Sequence, residues 1–221
     1  MGKAMILAAG RGERMRPLTD VTPKPLLEVR GKPLIVHHIE RLAAAGFKEV
    51  VINLAHLGHM IPEALGDGSK WGVKLLYSDE QNEGALESAG GIVKALALLG
   101  TEPFLVVNGD VWTDYPFDPA FELGGALAHL VLVPNPEHNP EGDFGIEDNR
   151  AVSDAQVKYT FSGMGYYSPE FFKGLAYGKR ALGPLLREKM EQGSVTAERY
   201  AGVWRDIGTP ERLSALNRSG C

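Results

Sequence analysis

KAMILAAGRGERMRPLTDVTPKPL, residues 3–26, is the stretch on which the fold turns. Residues 4–9 form an unbroken apolar run, as a parallel strand covered on both faces requires. Gly10-Arg11-Gly12 then supplies two positions without a Cβ, where successive backbone N–H groups can turn inward as a nest for an anion. Arg14 and Arg16 follow, then Lys24 between Pro23 and Pro25. A dinucleotide fingerprint is excluded, because Met15 stands at the third glycine position and Pro17, Pro23 and Pro25 bar a helix interior. A Walker A loop is excluded by the lack of Gly-Lys-Ser/Thr after the first glycine. What is left is an extended, positively charged loop after a buried strand.

Working outward, strands and helices alternate, which predicts an α/β fold. Leu34, Ile35, Ile39 and Leu42 recur at helical spacing before Gly46, so a helix is expected over 33–45, with a strand over 47–54. A short helix within 56–65 carries His56 and His59, a pair without a third nearby metal ligand. A strand over 72–78, an acidic loop at 79–83 and a helix over 88–99 follow, the helix entered through Ser88-Ala89-Gly90-Gly91. The strand at 104–107 ends in Asn108-Gly109-Asp110, which puts a carboxylate at the strand's carboxyl end, where open α/β sheets bind ligands. Further strands are expected at 129–133 and 158–167, one or two helices within 171–192, and a last helix with Thr209 as N-cap and Pro210 at its first position.

Two motifs and the glycine loop carry a family resemblance. LAAGRGERMRPLT with PKPLL, VNGDVW and WRDIGTPE together resemble the sugar-1-phosphate nucleotidyltransferases, over about residues 3–217. The resemblance implies a Rossmann-like three-layer αβα fold with a mixed, mostly parallel central sheet in a single domain spanning 1–221. It also implies a nucleotide-binding part over about 1–112, a sugar-binding part over about 113–217 and no appended C-terminal β-helix. On the family's pattern, Arg14 and Lys24 are the catalytic cations, and Asp110 and Asp206 hold Mg²⁺. Leu7, Ala8, Ala9, Gly10, Arg11, Gly12 and Ser88 face the nucleotide, with Glu80 or Gln81 on the base edge. Asn108, Gly145, Ser162 and Gly163 face the sugar.

VNGDVW, the GDFG loop, YTFSG and Leu86-Glu87-Ser88-Ala89-Gly90-Gly91 are most similar to the N-acetylmuramate-1-phosphate uridylyltransferases, which implies UTP as donor and a role in peptidoglycan recycling. A lactyl carboxylate on such a sugar needs a cation, for which Arg150, Lys158 and Arg205 are the candidates. The alternatives are a mannose- or glucose-1-phosphate nucleotidyltransferase using GTP or UTP, and a catalytically silent nucleotide-sensing subunit. Retention of Arg14, Lys24, Asp110 and Asp206 favours the enzyme.

Composition bounds the partners. The chain has 221 residues, 44% hydrophobic, enough for one sizeable core. A formal net charge of -5 argues against nonspecific nucleic-acid or anionic-membrane binding, leaving small-molecule substrates. One cysteine, Cys221, precludes an intrachain disulfide framework, and the apolar runs are too short to cross a membrane. The cytoplasm and a monomer are the default expectations.

Overall fold

The computed structural model describes residues 2–218, so Cys221 lies outside the described residues. In chain order the strands are β1 (Lys3–Leu7), β2 (Glu28–Val29), β3 (Lys32–Pro33), β4 (Glu49–Leu54), β5 (Lys74–Asp79), β6 (Phe104–Asn108), β7 (Val111–Thr113), β8 (Ala128–Val133), β9 (Gly145–Glu147), β10 (Arg150–Val152), β11 (Thr160–Tyr167), β12 (Val195–Arg199) and β13 (Trp204–Asp206). The α-helices are α1 (Leu34–Ala45), α2 (Met60–Leu65), α3 (Glu87–Leu99), α4 (Leu182–Glu191) and α5 (Pro210–Arg218).

Nine strands form one mixed sheet in the order β5-β4-β1-β6-β11-β8-β12-β10-β9. The half that begins the chain, β5-β4-β1-β6, is wholly parallel. Beyond it, β11 runs antiparallel to both β6 and β8, and β12 returns parallel to β8. The pleat divides the apolar runs between two cores: Ala4, Ile6, Val50, Ile52, Leu105 and Val107 pack on the α1 face, while Met5, Val51, Phe104 and Val106 pack on the α3 and α4 face. Both faces of the parallel strands are therefore covered, which is why residues 4–9 lack polar alternation.

Two smaller pairings bring the distant motifs together. β7 pairs antiparallel with β13, with Asp206 opposite Val111, and the Ile207 N–H donates to the Asp110 carbonyl at 2.8 Å. Ile207, Leu213 and Leu216 then pack with Met15, Val29 and Leu34 in a third core. This cluster clamps α5 over the glycine loop and holds the last motif beside the first. Thr209 Oγ1 accepts from the Arg212 N–H at 3.3 Å, the N-cap bond expected of that threonine.

One expected helical region is smaller than its apolar content suggests. Within 171–192 only α4 is α-helical. A 3-10 turn at Pro169–Phe172 precedes it, and Gly174 and Gly178 at φ +79° and +141° break the chain between them.

Candidate functional site

At the carboxyl ends of β1, β4 and β6 the structure opens into a cleft of about 490 Å³. Leu7, Ala8, Ala9, Gly10, Gly12, Arg14, Lys24, Ser88, Asn108 and Asp110 line it. These are ten of the positions singled out in the sequence, drawn from four separate segments. Gly208, two residues after Asp206, closes one side.

The glycine loop is bent by short-range constraints. Gly12 sits at φ +63°, and a Cβ there would lie 2.8 Å from Thr19 Cγ2 and 3.3 Å from Lys24 Cβ. A side chain at 12 would therefore be strained and would push the lysine segment out of place. Thr19 Oγ1 donates to the Gly12 carbonyl at 2.7 Å, and the His56 ring nitrogen bonds the Thr19 carbonyl at 2.8 Å. His56 thus braces the loop as a hydrogen-bonding side chain.

Opposite charges meet at one end of the cleft. Lys24 Nζ donates to Asp110 Oδ2 at 2.7 Å, with the lysine side chain 12% and the aspartate 31% exposed. Asp206 Oδ2 accepts from Arg212 at 2.9 Å and lies 3.2 Å from His138 Nε2, whereas its Oδ1 is buried without a hydrogen-bond partner among the described residues. The Cβ position of Gly208 is 2.9 Å from that Oδ1 and 3.3 Å from the Arg14 guanidinium, so this glycine leaves the space between cation and carboxylate open. Neither His138 nor Arg212 is a candidate from sequence: Arg212 directly follows the last motif, in α5, whereas His138 arrives from a polar loop with no local signal.

Other positions resolve differently. Arg11 is exposed and does not line the cleft. Neither Glu80 nor Gln81 lines it either. Glu80 is fully buried, accepting from Asn53 Nδ2 at 2.8 Å and from the Leu86 N–H at 2.9 Å, while Gln81 is tied to Asp79 on the surface. Asn53 passes the constraint on: its Oδ1 accepts from the Ala8 N–H at 2.7 Å. The acidic residue assigned to a base edge is thus the foundation beneath the cleft floor. Asn53, a lone amide near the end of an apolar strand, also lines the cleft and carries no local signal of doing so.

Glu80→Ala is expected to destabilise the fold by about 2–4 kcal/mol in urea unfolding, because it strands the Asn53 amide and the Leu86 N–H in the interior. A variant of unchanged stability would show that Glu80 has no such role.

Of the residues expected to face a sugar, Ser162 is consumed by structure: its hydroxyl donates to the Val131 carbonyl at 2.6 Å and accepts from the Met164 N–H at 3.1 Å, within the bulge of β11. Gly163, at φ +77°, gives way to Asn108, whose Nδ2 would lie 2.5 Å from an added Cβ. It acts on the cleft by letting the lining Asn108 into place. Gly145 is absent from the lining, and its missing Cβ makes room for Ala155, 2.2 Å from where that atom would stand.

Behind Asp110, His38 of α1 is wholly buried, and desolvation holds its pKa down at about 4 despite the opposing pull of Asp110. The ring is neutral in the fold, whereas the unfolded chain binds a proton near pH 6.5. Stability is therefore complete above about pH 6.5 and falls as the pH drops toward 4, by on the order of 3 kcal/mol in all. Urea midpoints measured across this range should fall for the native chain, and His38→Gln should flatten that part of the slope. An unaltered slope would mean that other groups set it.

A parallel strand cluster ending in a glycine loop, covered by helices on both faces and closed by a returning carboxylate motif, is the architecture of nucleotidyltransferases. The chain belongs to the nucleotidyl transferase family, whose profile matches residues 3–219. It is 56% identical over 220 residues, covering 96% of this chain and 95% of the relative, to the N-acetylmuramate alpha-1-phosphate uridylyltransferase of Neisseria meningitidis serogroup B (strain ATCC BAA-335 / MC58). The enzyme of the same name from Caulobacter vibrioides (strain ATCC 19089 / CIP 103742 / CB 15) is 32% identical, with 97% and 96% covered. Among solved structures, the inositol-1-phosphate CTP transferase from T. maritima shares the fold with a TM-score of 0.79 at 20% identity, over 100% of this chain and 98% of that one.

Proposed function

We propose that this nucleotidyltransferase transfers a uridylyl group from UTP to N-acetylmuramate α-1-phosphate and releases pyrophosphate, serving peptidoglycan recycling in the cytoplasm. The observation that carries the reaction is the convergence of Arg14, Lys24, Asp110 and Asp206 at one end of the cleft. What supports the sugar and the base is the high identity to the Neisseria uridylyltransferase over almost its whole length.

The chemistry joins two polyanions. An oxygen of the sugar phosphate attacks the α-phosphorus in line as the bond to the β-phosphate breaks, and the pyrophosphate leaves. The attacking oxygen is already ionised, so no side-chain base is required, and the protein contributes position and charge neutralisation. The glycine-loop amides and Arg14 bind the departing pyrophosphate. Lys24 neutralises charge between the α-phosphate and the sugar phosphate, where it strengthens as the transition state forms.

Asp110 and Asp206 suit Mg²⁺, because both offer carboxylate oxygens and the buried Asp206 Oδ1 has no partner among the described residues. When bound, the ion would supply positive charge that offsets the negative charge of the reacting phosphates. Arg212 and His138 hold Asp206 through its other oxygen and leave Oδ1 available. Residues to about 112 form the nucleotide half in this scheme, and those from 113 to 217 form the sugar half.

The test is pyrophosphate release with Mg²⁺, crossing the four nucleoside triphosphates against a panel of sugar 1-phosphates. Release confined to UTP with N-acetylmuramate 1-phosphate is expected. Release with GTP and mannose 1-phosphate, or with glucose 1-phosphate, would replace the substrate assignment, and silence from a folded, triphosphate-binding chain would favour a regulatory role.

A further inference from the structure

A second cavity, of about 460 Å³, continues the cleft away from its phosphate end. Ser88 and Asn108 line both spaces, and Phe144 and Phe161 wall the second. Among the residues lining the two, the cations are Arg14 and Lys24 at one end and Arg187 at the other.

Arg187 is placed there by the register of α4. Leu182, Leu185, Leu186 and Met190 bury one face of the helix in the core, so residue 187 falls on the exposed side at the cavity's rim. Its guanidinium carbon stands 5.3 Å from the centre of the Phe144 ring, and an added Cβ on Gly183 would lie 3.5 Å from its Nη1. No hydrogen bond or ion pair to Arg187 occurs among the described residues. The two nearby carboxylates have other partners: Asp143 Oδ2 accepts from the Phe161 N–H at 2.8 Å, and Glu87 lies 3.5 Å from Lys179.

The cations considered from sequence are placed elsewhere. Arg150 donates to the Gly193 carbonyl, and Arg205 lines a separate cavity of about 480 Å³ behind β7 and β13. Lys158 lines neither space of the cleft.

We propose that Arg187 is the residue that selects the acceptor sugar, by pairing with a carboxylate on a substituent of the sugar ring while the aromatic walls take the ring's apolar face. The lactyl carboxylate of N-acetylmuramate 1-phosphate is that group, so this inference rests on the function proposed above. A guanidinium resting over a ring gains more from a planar, two-pronged contact with a carboxylate. A sugar phosphate without the carboxylate gains nothing from it.

The test compares N-acetylmuramate 1-phosphate with N-acetylglucosamine 1-phosphate, which lacks the lactyl group, the latter read as a substrate or as a competitor. Arg187→Gln is expected to lower kcat/KM for the first on the order of 30-fold, mainly through KM, because a hydrogen bond to a charged group is lost. The constant for the second should stay unchanged, and Arg187→Lys should recover part of the loss. Equal effects on both sugars, or no effect on either, would overturn the assignment of Arg187 and leave the proposed reaction standing. A native enzyme inactive on N-acetylmuramate 1-phosphate would remove both.

Discussion

Asp110→Asn is expected to cut turnover by about three orders of magnitude while leaving the chain folded. The amide matches the carboxylate in shape but lacks its charge. It therefore weakens the oxygen set proposed for Mg²⁺ and leaves Lys24 without the ion pair it makes at 2.7 Å. The stability cost should stay within about 1–2 kcal/mol, because the pair is open to the cleft on the aspartate side and water can solvate the freed ammonium. Steady-state rates at saturating Mg²⁺, with a urea unfolding curve of the same preparation, separate the two effects. A variant turning over at the native rate would remove Asp110 from the metal assignment. A variant that unfolds would instead mean that the ion pair is chiefly structural.

Lys24→Ala is expected to lower kcat by about 10²–10³ while weakening triphosphate binding less than tenfold. The reasoning is geometric. Lys24 is fixed between prolines and pressed toward Gly12, so its ammonium is already in place beside Asp110 before substrate arrives. In the proposed reaction the ground-state triphosphate also has the loop amides and Arg14, whereas the charge that grows between the two reacting phosphates falls to the lysine. Triphosphate affinity measured by titration calorimetry, alongside single-turnover rates, distinguishes the cases. Equal losses in binding and rate would make Lys24 an ordinary binding cation, and native turnover would refute its role.

Much of this arrangement is legible in the chain. The apolar run before Gly10-Arg11-Gly12, the proline-flanked lysine, the carboxylate after β6 and the Trp-Arg-Asp-Ile-Gly motif each carry a local physical signature, and each lies at or beside the cleft. The sugar side was harder. Ser162 and Gly163 stand in a motif of the right kind, yet one is spent on the bulge of β11 and the other on admitting Asn108. Glu80 looks like a polar contact in an acidic loop. Its burial depends on Asn53 and Leu86, which are 27 and 6 residues away, and no local pattern encodes that.

From the sequence by itself came the class of the fold, its strand and helix order, and the residues proposed to handle phosphate. Those follow from backbone constraint and hydrophobic period, which act within a few residues. Tertiary structure alone decided which polar groups remain free to meet a ligand. Glu80 is satisfied by the interior, and among the described residues Asp206 keeps one buried oxygen unpartnered and Arg187 is set at the rim of the second cavity with no counterion. The reason is that a side chain's availability depends on every neighbour within hydrogen-bond reach, and those neighbours are assembled from distant segments only when the sheet closes and α5 docks on the glycine loop.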